Sequence, residues 1–173
     1  MFRKKWKNER KNIALFVDGP NIIRKEFSID LDDIRKSVEE HGRVMIAKIF
    51  LNQYAPEKLV EAISNQGFEP VVILAGEQES DVDVAVAVNV VKAAFNNEVD
   101  TVAIASRDAD FLPAVQAVKE RGKQVIVLGM NPGFSKALQR AADIVKLIPK
   151  KERKEKGKGE KTYSKSLIPS SSA

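Results

Sequence analysis

The feature that most constrains the fold is a set of short, uninterrupted apolar runs separated by amphipathic segments of helical length. The runs are IALFV, VMIAKIFL, PVVILAG, TVAIAS, QVIVLGM and IVKLI. Runs without polar alternation are typical of strands buried on both faces, which occur in parallel sheets covered by helices. The intervening segments, such as LDDIRKSVEEHG and PEKLVEAISNQG, have helical spacing and end at glycines. The pattern predicts an α/β fold, a three-layer α/β/α sandwich with a mostly parallel sheet of five or six strands.

One segment, DVDVAVAVNVV, is ambiguous because it alternates Val with Asp or Ala, as a strand does. Val84, Val88 and Val91 nevertheless fall at i, i+4 and i+7, and Ser80 with Asp83 forms a capping box. The segment also lies between two buried runs, which requires a crossover. We therefore predict a helix, and exposed valines around it would permit a homodimer.

Charge divides the chain into an acidic centre and two basic tails. Residues 1–12 carry six Lys or Arg and one Glu, and residues 149–173 carry eight Lys or Arg and three Glu. The centre, residues 13–148, has 15 basic and 20 acidic residues. We predict one domain over 13–148 with a basic tail on either side, and we expect the C-terminal tail, 149–173, to be disordered. The tails either attract a polyanion such as RNA or DNA, or are simply soluble and disordered.

The composition also excludes several classes of site. The chain contains no cysteine, which excludes disulfides, thiolate metal sites and a cysteine nucleophile. No apolar run approaches the ~18 residues of a membrane span, and the N-terminus lacks the apolar segment of a signal peptide. We expect a cytoplasmic protein without a membrane partner.

Acidic residues gather at one predicted edge of the sheet. Asp18 ends the first run, Asp108 and Asp110 follow the run TVAIAS, and Asp83 lies near the start of the preceding helix. Ligands of parallel α/β sheets bind outside the carboxyl ends of the strands, where the strand order reverses. We therefore expect these carboxylates to converge there.

Such a cluster suits a hard cation, Mg²⁺ or Mn²⁺, because crowded carboxylates repel one another unless a cation neutralises them. The cation would activate water and stabilise phosphodiester oxygens. Each acid also has a local alternative, since Asp and Asn cap turns and helices. Caps occur at every helix, whereas these acids concentrate at one edge of the sheet, and this favours a site.

Three motifs in series, the strand followed by DGPN, the segment SDVDVAVAVNV and the segment ASRDADFLP, resemble the NYN domain family of PIN-like proteins, also described as LabA-like or DUF88. The similarity covers roughly residues 12–148 and is nearest to an archaeal-type branch. The resemblance implies a PIN-like, Rossmannoid fold and a metal-dependent ribonuclease. The site residues that it implies are Asp18, Asn21, Asp83, Ser106, Asp108 and Asp110.

Two positions depart from the family pattern. Many relatives carry a further Asp where this chain has Asn89, and the usual Gly between Ser106 and Asp108 is Arg107. Asn89 could coordinate through its amide oxygen without contributing charge, so one metal rather than two is an alternative. Arg107 could contact phosphate or weaken the acidic potential.

Other function classes stay open or are disfavoured. With Asn89 in place of an acid, the domain could bind RNA or a protein without cleaving anything, using the basic tails for electrostatic contacts and Trp6 and Tyr163 for stacking. Trp6 could instead anchor its tail onto the domain. A receiver-like phosphotransfer domain would place an Asp at the end of the third strand, where this chain has Ala75 and Gly76. A dinucleotide-binding fold is disfavoured because no G-x-G-x-x-G follows the first strand.

Overall fold

The computed structural model describes residues 10–24, 28–74 and 80–151, and only the backbone of Ser80. Of the predicted basic tails it therefore covers residues 10–12 and 149–151. The predicted roles of Trp6, Tyr163 and the Ser80 side chain lie outside the described part of the chain.

The described residues form a parallel sheet flanked by helices. The strands are β1 (Asn12–Asp18), β2 (Arg43–Asn52), β3 (Glu69–Ile73), β4 (Thr101–Ala105), β5 (Gln124–Gly129) and β6 (Ile144–Leu147). The helices are α1 (Gly19–Ile22), α2 (Leu31–Glu39), α3 (Glu57–Asn65), α4 (Ser80–Ala94), α5 (Leu112–Glu120) and α6 (Lys136–Ala141), and a 3₁₀ turn (Ala109–Phe111) leads into α5. All five strand pairs are parallel. The predicted α/β sandwich is confirmed, with six strands.

The two faces of the sheet carry separate apolar cores, because successive residues of a strand point to opposite faces. In β1, Ala14 and Phe16 belong to the core that also contains buried residues of α4, α5 and α6. Ile13, Leu15 and Val17 belong to the core that contains buried residues of α2 and α3. Every residue of β1 from Ile13 onward is buried, which explains its uninterrupted apolar sequence.

The strand order β3-β2-β1-β4-β5-β6 reverses between β1 and β4. The chain moves outward from β1 through β2 to β3, then crosses through α4 to the other side of β1 and moves outward again. The carboxyl ends of β1 and β4 therefore lie side by side, with Val17 paired to Ala105. This is the position at which open α/β sheets bind ligands.

Gly19 holds the end of β1 close to β2. A Cβ atom at Gly19 would lie 2.3 Å from the carbonyl oxygen of Phe50, so only glycine lets α1 begin directly after Asp18 at this separation. The glycines that were predicted to end helices divide into two kinds. Gly67 and Gly122 have φ angles of 80° and 73°, as expected of left-handed helix ends. Gly42 instead is required by its close approach to the carbonyl oxygen of Lys11.

The ambiguous segment is a helix, α4, but two of the three valines that indicated it do not face the sheet, whereas the third, Val91, is partly buried against the core. Val82, Val86 and Val90 pack into the core, whereas Val84 and Val88 are 61% and 51% exposed. The helix is apolar on its outer as well as its inner face, so either set of valines satisfies a helical period. Among the described helices, even α4, with its 15 residues, is not long and apolar enough to cross a membrane.

The burial of Val86 yields a test of this orientation. Val86→Ala should lower the free energy of unfolding by about 2 kcal/mol, because it removes fully buried methyl groups and leaves a cavity. Val145→Ala, on the partly exposed edge strand β6, is the matched control and should cost much less. Urea unfolding of both variants measures the difference, and equal losses would contradict the assigned inner face of α4.

Candidate active site

Asp18 is the buried acid of the site. It ends β1, and its side chain is among the few buried polar groups of the described chain. The Ser106 hydroxyl donates a hydrogen bond of 3.1 Å to Asp18 Oδ2. Asp18 occupies the N-cap position of α1, yet its carboxylate makes no side-chain capping hydrogen bond there. The local alternative, in which Asp18 serves as a helix cap, therefore has no capping bond to support it.

Ser106 joins the two central strand ends. It is fully buried directly after β4, and its Oγ accepts a hydrogen bond of 3.2 Å from the backbone N–H of Asp108 while it donates to Asp18. One hydroxyl thereby fixes Asp18 against the backbone that carries Asp108. The two carboxylates are positioned by one buried hydrogen-bonded chain rather than by independent loops.

Three further acids form a cluster beside Asp18. One carboxylate oxygen from each of Asp83, Asp108 and Asp110 lies within 4.8 Å of the others. Asp83 comes from the first turn of α4, and the other two come from the turn after β4. Asp83 and Asp108 are half-buried and Asp110 is exposed. Residues distant in sequence thus meet at the edge where the strand order reverses, as the sequence predicts.

Asp108 caps a helix and also belongs to the cluster. It is the N-cap of the 3₁₀ turn, and its Oδ1 accepts a hydrogen bond of 2.9 Å from the N–H of Asp110. An ionised carboxylate offers two oxygens with about four acceptor positions. Capping and metal binding are therefore compatible roles of this one side chain.

Asp18 lies next to this cluster and is not one of the three grouped acids. Asp18, Asp83 and Asp108 line a narrow cavity of about 60 Å³. The cavity is also lined by Pro20, Asn21 and Arg24. Of the four acids predicted from the sequence, three therefore have oxygens close enough to share an ion, and Asp18 adjoins two of them.

The environment raises the pKa of Asp18 from 3.8 to about 7. Burial is the largest cause, because it removes water from the charged form, and the negative charge of Asp83 adds to it. The hydrogen bond from Ser106 favours the charged form of Asp18 and so offsets part of this rise in its pKa. The Asn21 N–H also lowers it, although this contact falls short of the geometry of a capping hydrogen bond.

The residues present fit a hard divalent cation. Mg²⁺ binds oxygens at about 2.1 Å, so two of its ligands are separated by at most about 4.2 Å. The spacing of the cluster, within 4.8 Å, is only slightly wider than this. The donor set is made of carboxylate oxygens, and no cysteine exists in the chain that would favour a softer metal. Asp83, Asp108 and Asp110 could therefore hold Mg²⁺ or Mn²⁺.

Asn21 and Arg107 connect the loops around the site. Asn21 Oδ1 accepts hydrogen bonds from the backbone N–H of Arg107 at 2.9 Å and from its Nε at 3.2 Å. Arg107 Nη1 donates to the carbonyl oxygen of Pro132 at 2.6 Å, and Nη2 donates to that of Asn21 at 3.4 Å. These bonds link the segments that follow β1, β4 and β5. Arg107 therefore braces the site, a role not foreseen from its departure from the family's glycine.

Asn89 lies apart from the acids. Its Nδ2 donates to the carbonyl oxygen of Ala85 one turn earlier. It lines a separate cleft of about 200 Å³ whose other residues are Phe16, Ile46, Lys48, Lys92, Ala93 and Asn96. No acid lines that cleft. The geometry gives no support to the hypothesis that Asn89 takes the place of a metal ligand.

Sequence reasoning did not single out Arg24, which lines the acidic cavity. Its Nε donates to the carbonyl oxygen of Pro20 at 3.2 Å, so it folds back over the turn that follows β1. Its position at the end of DGPNIIR, six residues after Asp18, is the sequence feature that could have indicated its place beside the acids. A neighbouring cleft of about 390 Å³ is lined by Asn21, Arg107, Asp108, Ala109, Gly133 and Ser135. It extends the site toward the loop after β5.

Three comparisons with known proteins bear on this arrangement. A family model described as "NYN domain" matches residues 12–149. The chain is 57% identical over 133 residues to "Uncharacterized protein MJ0482" of Methanocaldococcus jannaschii, a match that covers 77% of this chain and 53% of that protein. The chain thus spans about half the length of this relative.

A solved structure has the same fold. It is the crystal structure of a protein of unknown function, VPA0982, from Vibrio parahaemolyticus, with a TM-score of 0.72. The match covers 82% of this chain and 95% of that chain, at 23% sequence identity. At this identity the likeness shows the fold alone.

The raised pKa of Asp18 predicts a pH-dependent stability. The folded protein keeps the Asp18 proton at pH values where the unfolded chain has lost it, so Asp18 destabilises the fold increasingly as the pH rises from about 4 to about 7. In EDTA, Asp18→Asn should raise the free energy of unfolding at about pH 8 by a few kcal/mol, on the order of 4 at most, and change it little at about pH 4.

Urea unfolding of wild type and Asp18→Asn across this pH range measures the effect. A divalent cation bound beside Asp18 would lower its pKa, so Mn²⁺ should narrow the difference at the higher pH. An Asp18→Asn effect that is the same at both pH values would contradict the assigned environment.

The hydrogen bonds of Arg107 predict that lysine cannot replace it. Arg107→Lys keeps the charge but loses the planar fork that contacts both Asn21 and Pro132, so the turn that carries Asp108 should loosen. We expect Mn²⁺ affinity, measured by calorimetry, to fall about 10-fold, as when supporting residues of metal sites are changed. Unchanged affinity in Arg107→Lys, with a loss only in Arg107→Ala, would show that charge alone matters.

Proposed function

Because the chain belongs to the NYN domain family, we propose that it is a metal-dependent ribonuclease whose centre is the acidic cluster at the ends of β1 and β4. The observation that carries the proposal is the meeting of Asp83, Asp108 and Asp110 within 4.8 Å. Four acids gathered from three parts of the chain have a high electrostatic cost, which a bound cation would offset. The members of the cluster are the residues that the family resemblance implies.

The chain's own residues have distinct roles in this proposal. Asp83, Asp108 and Asp110 would hold Mg²⁺ or Mn²⁺, which would supply Lewis acidity toward the phosphodiester and lower the pKa of water. Ser106 holds Asp18 in place from the buried side of the site. Asp18 would act as a further ligand or would hold a proton near neutral pH, and its raised pKa supports the second role. Asn21 and Arg107 fix the loops that carry these groups.

RNA is the proposed substrate, and electrostatics would assist its capture. The net charge of +5 arises from the basic tails, since the central 136 residues, 13–148, carry an excess of acids. Lys and Arg in the tails would attract a polyanion and make its binding salt-dependent. Arg24 and Arg107 would provide positive charge beside the acids. The cytoplasmic location expected from the sequence remains a prediction.

The experiment is cleavage of a labelled single-stranded RNA in Mg²⁺, Mn²⁺ or EDTA by wild type and Asp108→Asn. Asn is as good an N-cap as Asp, so this variant keeps the cap of the 3₁₀ turn and removes only the charge. We expect metal-dependent cleavage by the wild type and a loss on the order of 100-fold or more in the variant.

Asp32→Asn is the matched control, because it neutralises an exposed acid of α2 that pairs with Lys36 and does not belong to the cluster. It should cleave like the wild type. If the folded wild type cut none of several RNAs in either metal and bound them in a salt-dependent way, the domain would be a non-catalytic RNA-binding module. Cleavage that survives Asp108→Asn would place the reaction elsewhere.

A further inference from the structure

The cleft of about 390 Å³ adjoins the acidic cavity on the side of the segment that follows β5. Asn21 and Asp108 line both spaces, so the two share part of their walls. The acidic cavity, at about 60 Å³, has room for an ion and a few waters, whereas pockets that hold small organic ligands have volumes of about 300–1,000 Å³. The cleft therefore has room for an organic group that lies directly beside anything bound at the acids.

Hydrogen bonds hold the walls of the cleft in place. The N–H of Ser135 donates to the carbonyl oxygen of Arg107 at 3.0 Å, and Arg107 Nη1 donates to the carbonyl oxygen of Pro132. The segment that follows β5 is thereby tied to the turn that follows β4 at two points. Ser135 Oγ accepts a hydrogen bond of 3.2 Å from the N–H of Leu138, which fixes its side chain as the N-cap of α6. The cleft is therefore formed before a ligand arrives, and binding requires little ordering of its walls.

Small residues keep the cleft open. Gly133 has a φ angle of 86°, a left-handed conformation that favours glycine, and Ala109 carries only an exposed methyl group. A Cβ atom at Gly133 would lie 3.4 Å from Arg107 Nη1, so the backbone of Gly133 lies close to the guanidinium. The space is therefore bounded by backbone, methyl and guanidinium surfaces, which suit a flat and partly apolar group.

The polar groups of the cleft are mainly hydrogen-bond donors. The bonds from Arg107 to Asn21 and Pro132 lie in the plane of the guanidinium and fix the orientation of that plane. The Ser135 hydroxyl accepts a bond from the backbone and keeps its own hydrogen to donate. Asn21 uses Oδ1 as an acceptor, and its Nδ2 has no acceptor among the described residues. Nucleobases present acceptors at their edges, and proteins stack unpaired bases on Arg guanidinium planes as well as on aromatic rings.

We propose that the cleft holds the nucleoside next to the cleaved phosphate, and that the substrate is therefore unpaired at that position. The proposal takes the position of the phosphate, at a metal beside Asp108, from the proposed function. A nucleoside is joined directly to its phosphate, so it is the group that enters the adjoining cleft. A base within a duplex is paired at its edge and stacked on its neighbours, and it would first have to be released. The substrate class is then a single strand or a loop of RNA.

Calorimetry on the full chain in Mn²⁺ tests nucleoside binding without any cleavage. The probes are AMP, GMP, CMP and UMP, with inorganic phosphate as the reference. At least one nucleotide should bind about 10-fold or more tightly than inorganic phosphate, because the cleft adds contacts with the base and sugar. Ala109→Leu should fill the cleft and remove this difference, with little change in the affinities for Mn²⁺ and inorganic phosphate. Gln116→Leu, at an exposed position of α5 outside the cleft, is the matched control and should bind like the wild type.

Cleavage separates this inference from the proposed function. An active wild type should cut an unpaired RNA strand on the order of 10-fold or more faster than the same strand in a duplex, and Ala109→Leu should lose most of this preference. If the wild type cut no RNA but bound a nucleotide in a way that Ala109→Leu abolishes, the cleft assignment would hold and the nuclease would be rejected. Nucleotides that bind no more tightly than inorganic phosphate, or that bind Ala109→Leu as well as the wild type, would overturn the cleft assignment whether or not RNA is cut. Equal cutting of strand and duplex would overturn the requirement for an unpaired base.

Discussion

The buried hydrogen bond from Ser106 to Asp18 is the interaction on which the site depends. It joins the last residue of β1 to the first residue after β4 at the point where the strand order reverses. Without an acceptor at position 18, the Ser106 hydroxyl would be buried without its main partner, and without Ser106 the carboxylate would lose a hydrogen bond that favours its charge. The same hydroxyl accepts a hydrogen bond from the backbone N–H of Asp108, and Asp108 Oδ1 accepts one from the N–H of Asp110. One chain of hydrogen bonds therefore positions both acids that follow β4.

Asp18 illustrates the conflict between stability and binding at such a site. Its burial and the charge of Asp83 raise its pKa, which means that the fold is less stable when the carboxylate is ionised. A site of this kind tolerates the cost because the rest of the sheet is well packed, with β1, β4 and β5 largely buried. A cation at Asp83, Asp108 and Asp110 would relieve the repulsion among the carboxylates. Substitutions that remove one of these charges should therefore stabilise the metal-free protein and weaken its affinity for the metal.

The sequence predicts most of the fold because strands that are buried on both faces have a recognisable, uninterrupted apolar composition. A parallel strand covered on both faces needs apolar residues at every position, and β1, β4 and β5 have them. The convergence of the acids follows from the topology, since parallel strands deliver their carboxyl ends to one edge. Which acids share an ion does not follow, because Asp18 and Asp108 differ in burial, and burial depends on how α1 and α4 pack over the strand ends. Asn89 shows the same limit: six residues along a helix turn it by about 240° from Asp83, onto a face that sequence alone does not locate relative to the site.

The two faces of α4 explain why its sequence resembled a strand. An amphipathic helix has a period of about 3.6 because only one side meets the core, and a segment with apolar residues on opposite sides loses that period. Val82, Val86 and Val90 serve the core, and Val84 and Val88 occupy the outer face, so together they alternate along the chain. The alternation is therefore the sum of two helical stripes. The inner stripe is accounted for by the sheet, whereas Val84 and Val88 of the outer stripe lie at the surface of the described chain.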